Sequence, residues 1–185
     1  MTKVYTAGPG DGFEWVNLRH HEDRENLLEL GEERVADGFQ SLPAYRVLED
    51  EGETFDEADM PWMGGHFLVM RDHVRETLAS IMADDVEFLP LTTDDSLRLW
   101  ITHTLRLVPV LDLERSEIKR FSSSGRIMRI VWHHFLPEVK EAGTAFHLAE
   151  MKRGHLYVTE EVVDVVLRAG FTGAKFTEIW DTEKS

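Results

Sequence analysis

The chain has 185 residues, a net charge of −15 and no cysteine. These numbers exclude disulfide bonds and thiolate chemistry, and such a negative surface repels nucleic-acid phosphates and anionic membranes. The N-terminus lacks the apolar stretch of a signal peptide, and no apolar run approaches the roughly 20 residues needed to cross a bilayer. We therefore expect a cytoplasmic protein that neither enters a membrane nor binds nucleic acid directly.

The acidic residues are concentrated near the start of the chain. Residues 1–60 contain 16 acidic and five basic residues, a net charge of −11. Residues 61–185 contain 19 acidic and 15 basic residues, a net charge of −4. A chain of this length suits one domain, or one domain with an extension. We predict that residues 1–60 form an acidic N-terminal part, packed on or extending a main domain over residues 61–185.

The first 60 residues give a weak structural pattern. Residues 1–12 indicate a loose start that ends in a glycine-rich turn or disordered tip. Apolar residues recur at helical spacing over residues 22–37, which predicts a helix there. Short strands are predicted on either side of it, at residues 13–16 and 42–48.

The pattern is firmer from residue 66 onwards. Helical spacing of apolar residues predicts helices over residues 71–82 and 160–169. A turn or short helix is predicted over residues 112–118. Alternation of apolar and polar residues predicts strands at 86–91, 97–103, 127–132, 145–148 and 174–180, and short apolar runs predict further strands at 67–70 and 155–158. These elements predict an α+β fold with a largely antiparallel sheet and a few packed helices.

Three residues are predicted to mark the ends of the two firm helices. Asp72 and Thr159 stand at helix starts, where a side-chain oxygen accepts hydrogen bonds from unpaired backbone N–H groups. Gly170 follows the second helix at the position where a left-handed backbone conformation is favoured.

Several groups of residues invite a catalytic or metal-binding interpretation. Nine histidines are present, but none follows a known zinc-motif spacing, and the adjacent His133 and His134 would point to opposite faces of a strand. The acid pairs at 84–85 and 94–95 suit acid–base chemistry only if they are buried together. The serines at 122–124 lack the surroundings of a nucleophile. We predict no catalytic residues, no metal site and no cofactor.

The densest acidic stretch is residues 49–59, which contain seven acids and no base. Such a surface attracts basic partners and speeds association, although solubility alone is an alternative reason for it. Trp62 follows the stretch and suits an interface anchor, with a place in the core as the alternative. We predict that the partner-binding surface consists of Glu49, Asp50, Glu51, Glu53, Asp56, Glu57, Asp59 and Trp62.

A series of short segments follows in a characteristic order over residues 66–180. The most distinctive are VLDLERS at 110–116, LYVTE at 156–160 and GFTGAKF at 170–176. Their order and spacing resemble the Imm11 family of bacterial immunity proteins, first described as a domain of unknown function in Myxococcus. Thr159 and His147 depart from the family pattern, in which Ser and Arg are usual at these positions.

The resemblance implies a protein that protects a cell from a toxin delivered by itself or its kin. Such a protein binds its cognate toxin, often a nuclease and encoded beside it, and neutralises it by stoichiometric association. The family supplies no catalytic residues. Acidity fits this function, because an acidic inhibitor can occupy the basic cleft of a nuclease. The residues alone leave two alternatives: a small enzyme with an undetected carboxylate or histidine site, and an acidic regulatory or scaffold binding protein.

Overall fold

The computed structural model describes residues 2–183, which form three helices and 14 strands. This confirms the predicted α+β class. The helices are α1 (His21–Glu29), α2 (Asp72–Met82) and α3 (Glu160–Ala169). The strands are β1 (Lys3–Pro9), β2 (Trp15–Leu18), β3 (Leu42–Val47), β4 (Glu49–Asp50), β5 (Glu53–Thr54), β6 (Val69–Met70), β7 (Val86–Thr93), β8 (Arg98–Thr104), β9 (Leu107–Val108), β10 (Glu117–Arg120), β11 (Ile127–Trp132), β12 (Ala145–Leu148), β13 (Tyr157–Thr159) and β14 (Ala174–Asp181).

The first sheet has the strand order β14-β1-β13-β12-β9 and corrects the prediction of a loose N-terminus. Strand β1 pairs antiparallel with both β13 and β14, and Val4 within it is fully buried between Thr159 and Trp180. The loose start is predicted from the glycine-rich residues 8–12. Gly8 and Pro9 nevertheless pair with Lys175 and Ala174 of β14, and only the residues after Pro9 leave the strand.

The second sheet has the order β2-β3-β7-β8-β6. Its longest pairing joins β7 to β8 in antiparallel register, whereas β3 runs parallel to β7. Leu89, Leu91, Leu99 and Ile101 alternate along β7 and β8 and form a fully buried row. Because β1 belongs to the first sheet and β2 and β3 to the second, residues 1–60 contribute strands to both sheets.

Helix α1 is shorter than the predicted helix over residues 22–37, because it ends at Glu29. Leu30 already has extended backbone angles. Further on, the backbone N–H groups of Val35 and Ala36 donate to the carboxylate of Glu87 on β7. A helix through these residues would direct the same N–H groups to carbonyls four residues earlier, so the tertiary contact replaces the helix.

Helices α2 and α3 pack against each other and against the first core, in which Val74, Leu78, Val162 and Val166 are buried. Their predicted positions are confirmed, as is the left-handed conformation of Gly170.

The two predicted helix caps are wrong. Thr159 stands at the N-cap position of α3 and Asp72 is the first residue of α2, but neither helix has a side-chain cap hydrogen bond. Asp72 instead accepts hydrogen bonds from Arg98 and Trp100 on β8. These partners are distant in sequence, so the local capping pattern gives no sign of them.

The predicted turn or short helix over residues 112–118 is a turn that passes into β10 at Glu117. Strand β10 pairs with β11 as a separate hairpin, whose Ile118, Ile127 and Ile130 pack against a second core. Aromatic rings dominate that core. They are Phe135, Phe146, Tyr157 and Trp180, with edge-to-face and stacked contacts.

The longest helix of residues 2–183, α2, has 11 residues. No helix in this part of the chain has the length and apolar character required to span a membrane.

Candidate functional site

The predicted acidic surface divides into two structurally different halves. The first half is the hairpin formed by β4 and β5, which turns at Glu51 and Gly52. Both turn residues have positive φ angles, 49° and 87°, as a tight two-residue hairpin requires. Its acids Glu49, Asp50, Glu51 and Glu53 are all exposed, and none forms an ion pair with any residue from 2 to 183. We call these four residues the acidic hairpin.

The second half, residues 55–59, is attached to the body of the protein. Backbone hydrogen bonds join Asp56 to Gly12 and Glu14, at 2.9 Å each. Asp59 accepts hydrogen bonds from the backbone N–H and hydroxyl of Thr172, at 2.9 and 3.0 Å. Burial raises the pKa of Asp59, but the hydrogen bonds from Thr172 outweigh burial and hold that pKa below its ordinary value.

A buried carboxylate holds this attachment together. The side chain of Glu14 is 1% exposed and accepts hydrogen bonds from Arg46 at 2.5 Å and Arg71 at 3.0 Å. It also accepts one from the backbone N–H of Ala58 at 3.0 Å. Both arginines extend to Glu57, and the hydrogen bond from Arg46 holds the pKa of Glu57 below its ordinary value. Glu57 and Asp59 are therefore engaged internally, whereas the acids of the acidic hairpin have no ion-pair partner among residues 2–183.

An aromatic groove adjoins the acidic hairpin. Phe55 follows β5 directly, and its ring stacks on that of Trp15, with 5.9 Å between ring centroids. Trp15 forms a backbone bridge with Trp62, and both line a pocket of about 380 Å³ together with Met63. Trp15 is 39% exposed. Trp62 is half-buried and packs against the first core, so it belongs partly to the core and partly to the surface.

Trp15 and Phe55 belong to this surface, although the sequence analysis does not predict them there. Trp15 lies in a predicted strand, and Phe55 lies within the acidic stretch. The available signal is local, because Phe55 is the aromatic residue within the seven-acid segment. Its stacking on Trp15 depends on the tertiary arrangement of β2 and β5.

The acid pairs at residues 84–85 and 94–95 each include an aspartate that binds groups of the protein itself. Asp85 is buried and binds the guanidinium of Arg106 at 2.8 Å and the backbone N–H of Thr144 at 2.6 Å. Asp95 accepts hydrogen bonds from Arg46 and Thr93. Both of these carboxylates accept hydrogen bonds from groups of the protein.

The histidine pairs are similarly dispersed. His133 forms a 3.0 Å hydrogen bond with the hydroxyl of Tyr157, while His134 makes an edge contact with Trp180. In residues 2–183, no three His, Asp or Glu side chains form a group suited to a metal ion. The prediction that the protein lacks a metal and a cofactor stays a prediction.

A second concave surface lies away from the acidic hairpin. It is a cleft of about 890 Å³, to which β8 of the second sheet and β9 and β12 of the first contribute residues. The β10–β11 hairpin and the C-terminal end of α1 complete its walls. His66, His103 and His147 all line this cleft, although they are far apart in sequence. No sequence pattern indicates that these three side chains line one cleft.

Comparison with known proteins assigns no relative to the chain. No protein-family model matches it. No curated protein matches it at the level that marks a relative. The resemblance of residues 66–180 to the Imm11 family is therefore carried by their sequence pattern alone.

Proposed function

We propose that this protein is an immunity protein that binds a cognate bacterial toxin and neutralises it by stoichiometric association. Two independent observations support the proposal. The first is the order of short segments over residues 66–180 that resembles the Imm11 family. The second, which carries the proposal, is the acidic hairpin beside the aromatic groove.

The acidic hairpin has the properties of a surface that binds a basic partner. Four carboxylates lie within the five residues 49–53, which include an ordered two-residue turn. None of them is neutralised by an arginine or lysine of residues 2–183. The repulsion among such charges is unfavourable in the free protein and is relieved when a cationic surface covers them. The neighbouring acids of residues 55–59 differ, because Glu57 and Asp59 already have partners.

The aromatic groove supplies the apolar part of the proposed interface. Tight interfaces concentrate binding energy in a few aromatic or arginine anchors surrounded by a polar rim. Trp15 and Trp62 line a pocket in which a partner side chain can be buried, and the acidic hairpin stands beside it. A lysine or arginine of the partner would contact both the carboxylates and the faces of the indole rings.

The proposed partner is a basic protein toxin encoded beside this protein. Nucleases are the best chemical fit, because a cleft that binds phosphates is lined with lysine and arginine. Opposite charges at such an interface raise the association rate, while desolvated contacts at the centre determine the lifetime of the complex. A regulatory or scaffold protein would use the same surface, so the identity of the partner separates the two functions.

The decisive experiment is co-expression with the toxin gene next to this one. The intact protein is expected to restore growth and to form a one-to-one complex with the purified toxin. Failure to protect, with the protein folded and expressed, would remove the immunity function. Protection that depends on turnover of a small molecule, without a complex, would favour the enzyme alternative.

Binding kinetics at two salt concentrations then test the surface itself. Reversal of Asp50, Glu51 and Glu53 to lysine is expected to slow association by about tenfold and to flatten its dependence on salt. A matched control reverses three other exposed acids without an ion pair, Glu114, Glu138 and Glu141, and leaves most of the rate intact. Equal effects of the two triple variants would show that net charge, and not the acidic hairpin, governs association.

The aromatic groove is tested by dissociation. Trp15→Ala is expected to speed dissociation by about 30-fold, which corresponds to a loss of about 2 kcal/mol. Trp15 is preferred to Trp62 for this purpose because it is more exposed, so its removal disturbs the core less. An unchanged dissociation rate for Trp15→Ala would place the interface elsewhere.

A further inference from the structure

The cleft of about 890 Å³ contains two histidines whose hydrogen bonds fix their tautomers. The Nδ1 of His66 lies 2.8 Å from the carbonyl oxygen of Gly154, and the Nδ1 of His147 lies 3.0 Å from that of His155. A carbonyl oxygen only accepts, so each Nδ1 carries a hydrogen and donates it. In the neutral ring the remaining nitrogen, Nε2, then keeps a free lone pair.

These two lone pairs are unused by the protein. The rings stack with 4.0 Å between centroids, and neither Nε2 has a hydrogen-bond partner in residues 2–183. Neither Nε2 is sealed inside the protein, so both are open to the cleft that the rings line. Burial lowers the pKa of His66 to about 4 and that of His147 to about 3, which keeps both rings neutral and accepting at neutral pH.

Two further polar groups along the cleft lack partners. The side chain of Thr104 is 9% exposed, and its Oγ1 is buried without a hydrogen bond. One carboxylate oxygen of Glu150, Oε2, is also buried without a partner. Both atoms are covered by protein, so the acceptors that a ligand in the cleft can reach are the two histidine Nε2 atoms. These nitrogens accept hydrogen bonds, so the ligand presents donors to them.

The lining of the cleft also carries unpaired positive charge. Arg126 and Lys152 line it without an ion pair, and Arg120 bonds only the carbonyl oxygen of Gly125. Two other lining cations, Arg106 and Arg153, are already paired with acidic residues. Two acids without an ion pair, Glu32 and Glu150, also line the cleft, so its unpaired cations outnumber its unpaired acids by three to two. The three cations favour an anionic group.

Apolar side chains make up another part of the lining. Leu30, Phe67, Leu107, Phe121 and Met128 line the cleft alongside the polar groups. Such a combination, an apolar cavity with a few converging polar groups, is typical of small-molecule sites.

We propose that the cleft binds a small organic anion with an apolar body, whose anionic group contacts Arg120, Arg126 and Lys152 and whose hydroxyl or amino donors reach Nε2 of His66 and His147. This site is separate from the acidic hairpin, so it goes beyond the proposed toxin binding and does not depend on it. The anionic group is a carboxylate or a phosphate, which share this chemistry and which the experiment distinguishes.

Calorimetric titration of the full chain with two pairs of probes tests the proposal. The carboxylate pair is 10-hydroxydecanoate and decanoate, which differ only in the terminal hydroxyl. The phosphate pair is adenosine 5′-monophosphate and adenosine, which differ only in the anion. We expect one-to-one binding of 10-hydroxydecanoate at least about fivefold tighter than decanoate, or of the nucleotide at least about tenfold tighter than adenosine. The pair that binds identifies the anion, and binding of neither charged probe overturns the proposal.

Variants of the cations that line the cleft test whether the probe binds there. The double variant Arg126→Glu, Lys152→Glu is expected to weaken binding of the charged probe by at least about tenfold. Arg129→Glu is the matched control, because Arg129 lies on the same hairpin without lining the cleft or forming an ion pair, and it leaves affinity unchanged. Equal weakening by both changes, or a stoichiometry above one, would reduce the result to non-specific attraction and overturn the proposal.

A histidine variant tests whether donor groups of the ligand bind His66 and His147. His147→Phe keeps a ring in the stack and removes the accepting nitrogen, so the advantage of 10-hydroxydecanoate over decanoate is expected to disappear. His66→Phe provides the same measurement if the first variant does not fold, as judged by circular dichroism. An undiminished advantage in a folded variant would show that the donor end of the ligand does not bind these rings.

Discussion

At the scale of single residues, burial lowers the pKa of four histidines, His66, His133, His147 and His155. It lowers the pKa of His66 and His133 to about 4 and that of His147 to about 3. An unfolded chain has histidine pKa values near 6.5. Below that value the unfolded state binds protons that the folded state does not, so stability from these residues is present above about pH 6.5 and is lost on acidification.

The lowered pKa values of these histidines predict how stability against urea changes with pH. The free energy of unfolding is expected to fall between pH 7 and pH 5, by about 2 kcal/mol for a histidine as fully depressed as His147. The variant His147→Gln cannot take up that proton, so it should lose correspondingly less stability over the same interval. Carboxylates with a lowered pKa, such as Glu87, lose their contribution to stability only at lower pH, so they do not affect the comparison of the two proteins. Identical pH dependence of the two proteins would contradict the assigned burial.

At the scale of elements, the connection between α3 and β14 is set by two glycines with different surroundings. Gly170 ends α3 with a φ angle of 70°, and a Cβ there would meet no atom within 4 Å. Gly173 has a φ angle of 96°, and a Cβ there would lie 2.5 Å from Cβ of Ala58 and 2.6 Å from the carbonyl oxygen of Met60. The second glycine therefore allows the attached half of the acidic segment to approach the start of β14.

The two glycines form a matched pair for mutation. Gly170→Ala is expected to cost about 1 kcal/mol, because only backbone strain opposes the new side chain. Gly173→Ala adds a steric clash with backbone atoms and is expected to cost about 3 kcal/mol. Urea unfolding of both variants gives the two values. A cost for Gly173→Ala no larger than that for Gly170→Ala would show that residues 58–60 move aside freely.

At the scale of the whole molecule, the N-terminal part contributes strands to both sheets. Strand β1 lies inside the first sheet, and Val4 pairs with residues more than 150 positions away. Strands β2 and β3 complete one side of the second sheet. The acidic hairpin, by contrast, contains only β4 and β5 and pairs with no other strand.

Truncation distinguishes these two kinds of N-terminal segment. A chain of residues 61–185 lacks a strand flanked by two neighbours, so it is expected to show no cooperative unfolding transition by circular dichroism. Replacement of residues 49–54 by a short Asn-Gly turn should keep a cooperative transition, because it removes only exposed side chains and a local hairpin. A folded 61–185 fragment would show that β13 and β14 can pair without β1.

The sequence by itself determined the elements whose patterns are local. Alternation places β7, β8, β11, β12 and β14, and helical spacing places α2 and α3, because these patterns reflect which side of each element is buried. The acid-rich composition of residues 49–59 likewise identified a charged segment.

Only the tertiary structure decided which of those residues are available and what they meet. Glu57 and Asp59 find partners in Arg46, Arg71 and Thr172, while the acidic hairpin finds none, and no local pattern separates the two groups. Contacts across more than 50 residues also explain three further features. They are the strand formed by residues 3–9, the early end of α1 and the contact between His66 and His147. Such contacts form when distant apolar surfaces are buried together, and a sequence pattern a few residues long does not encode them.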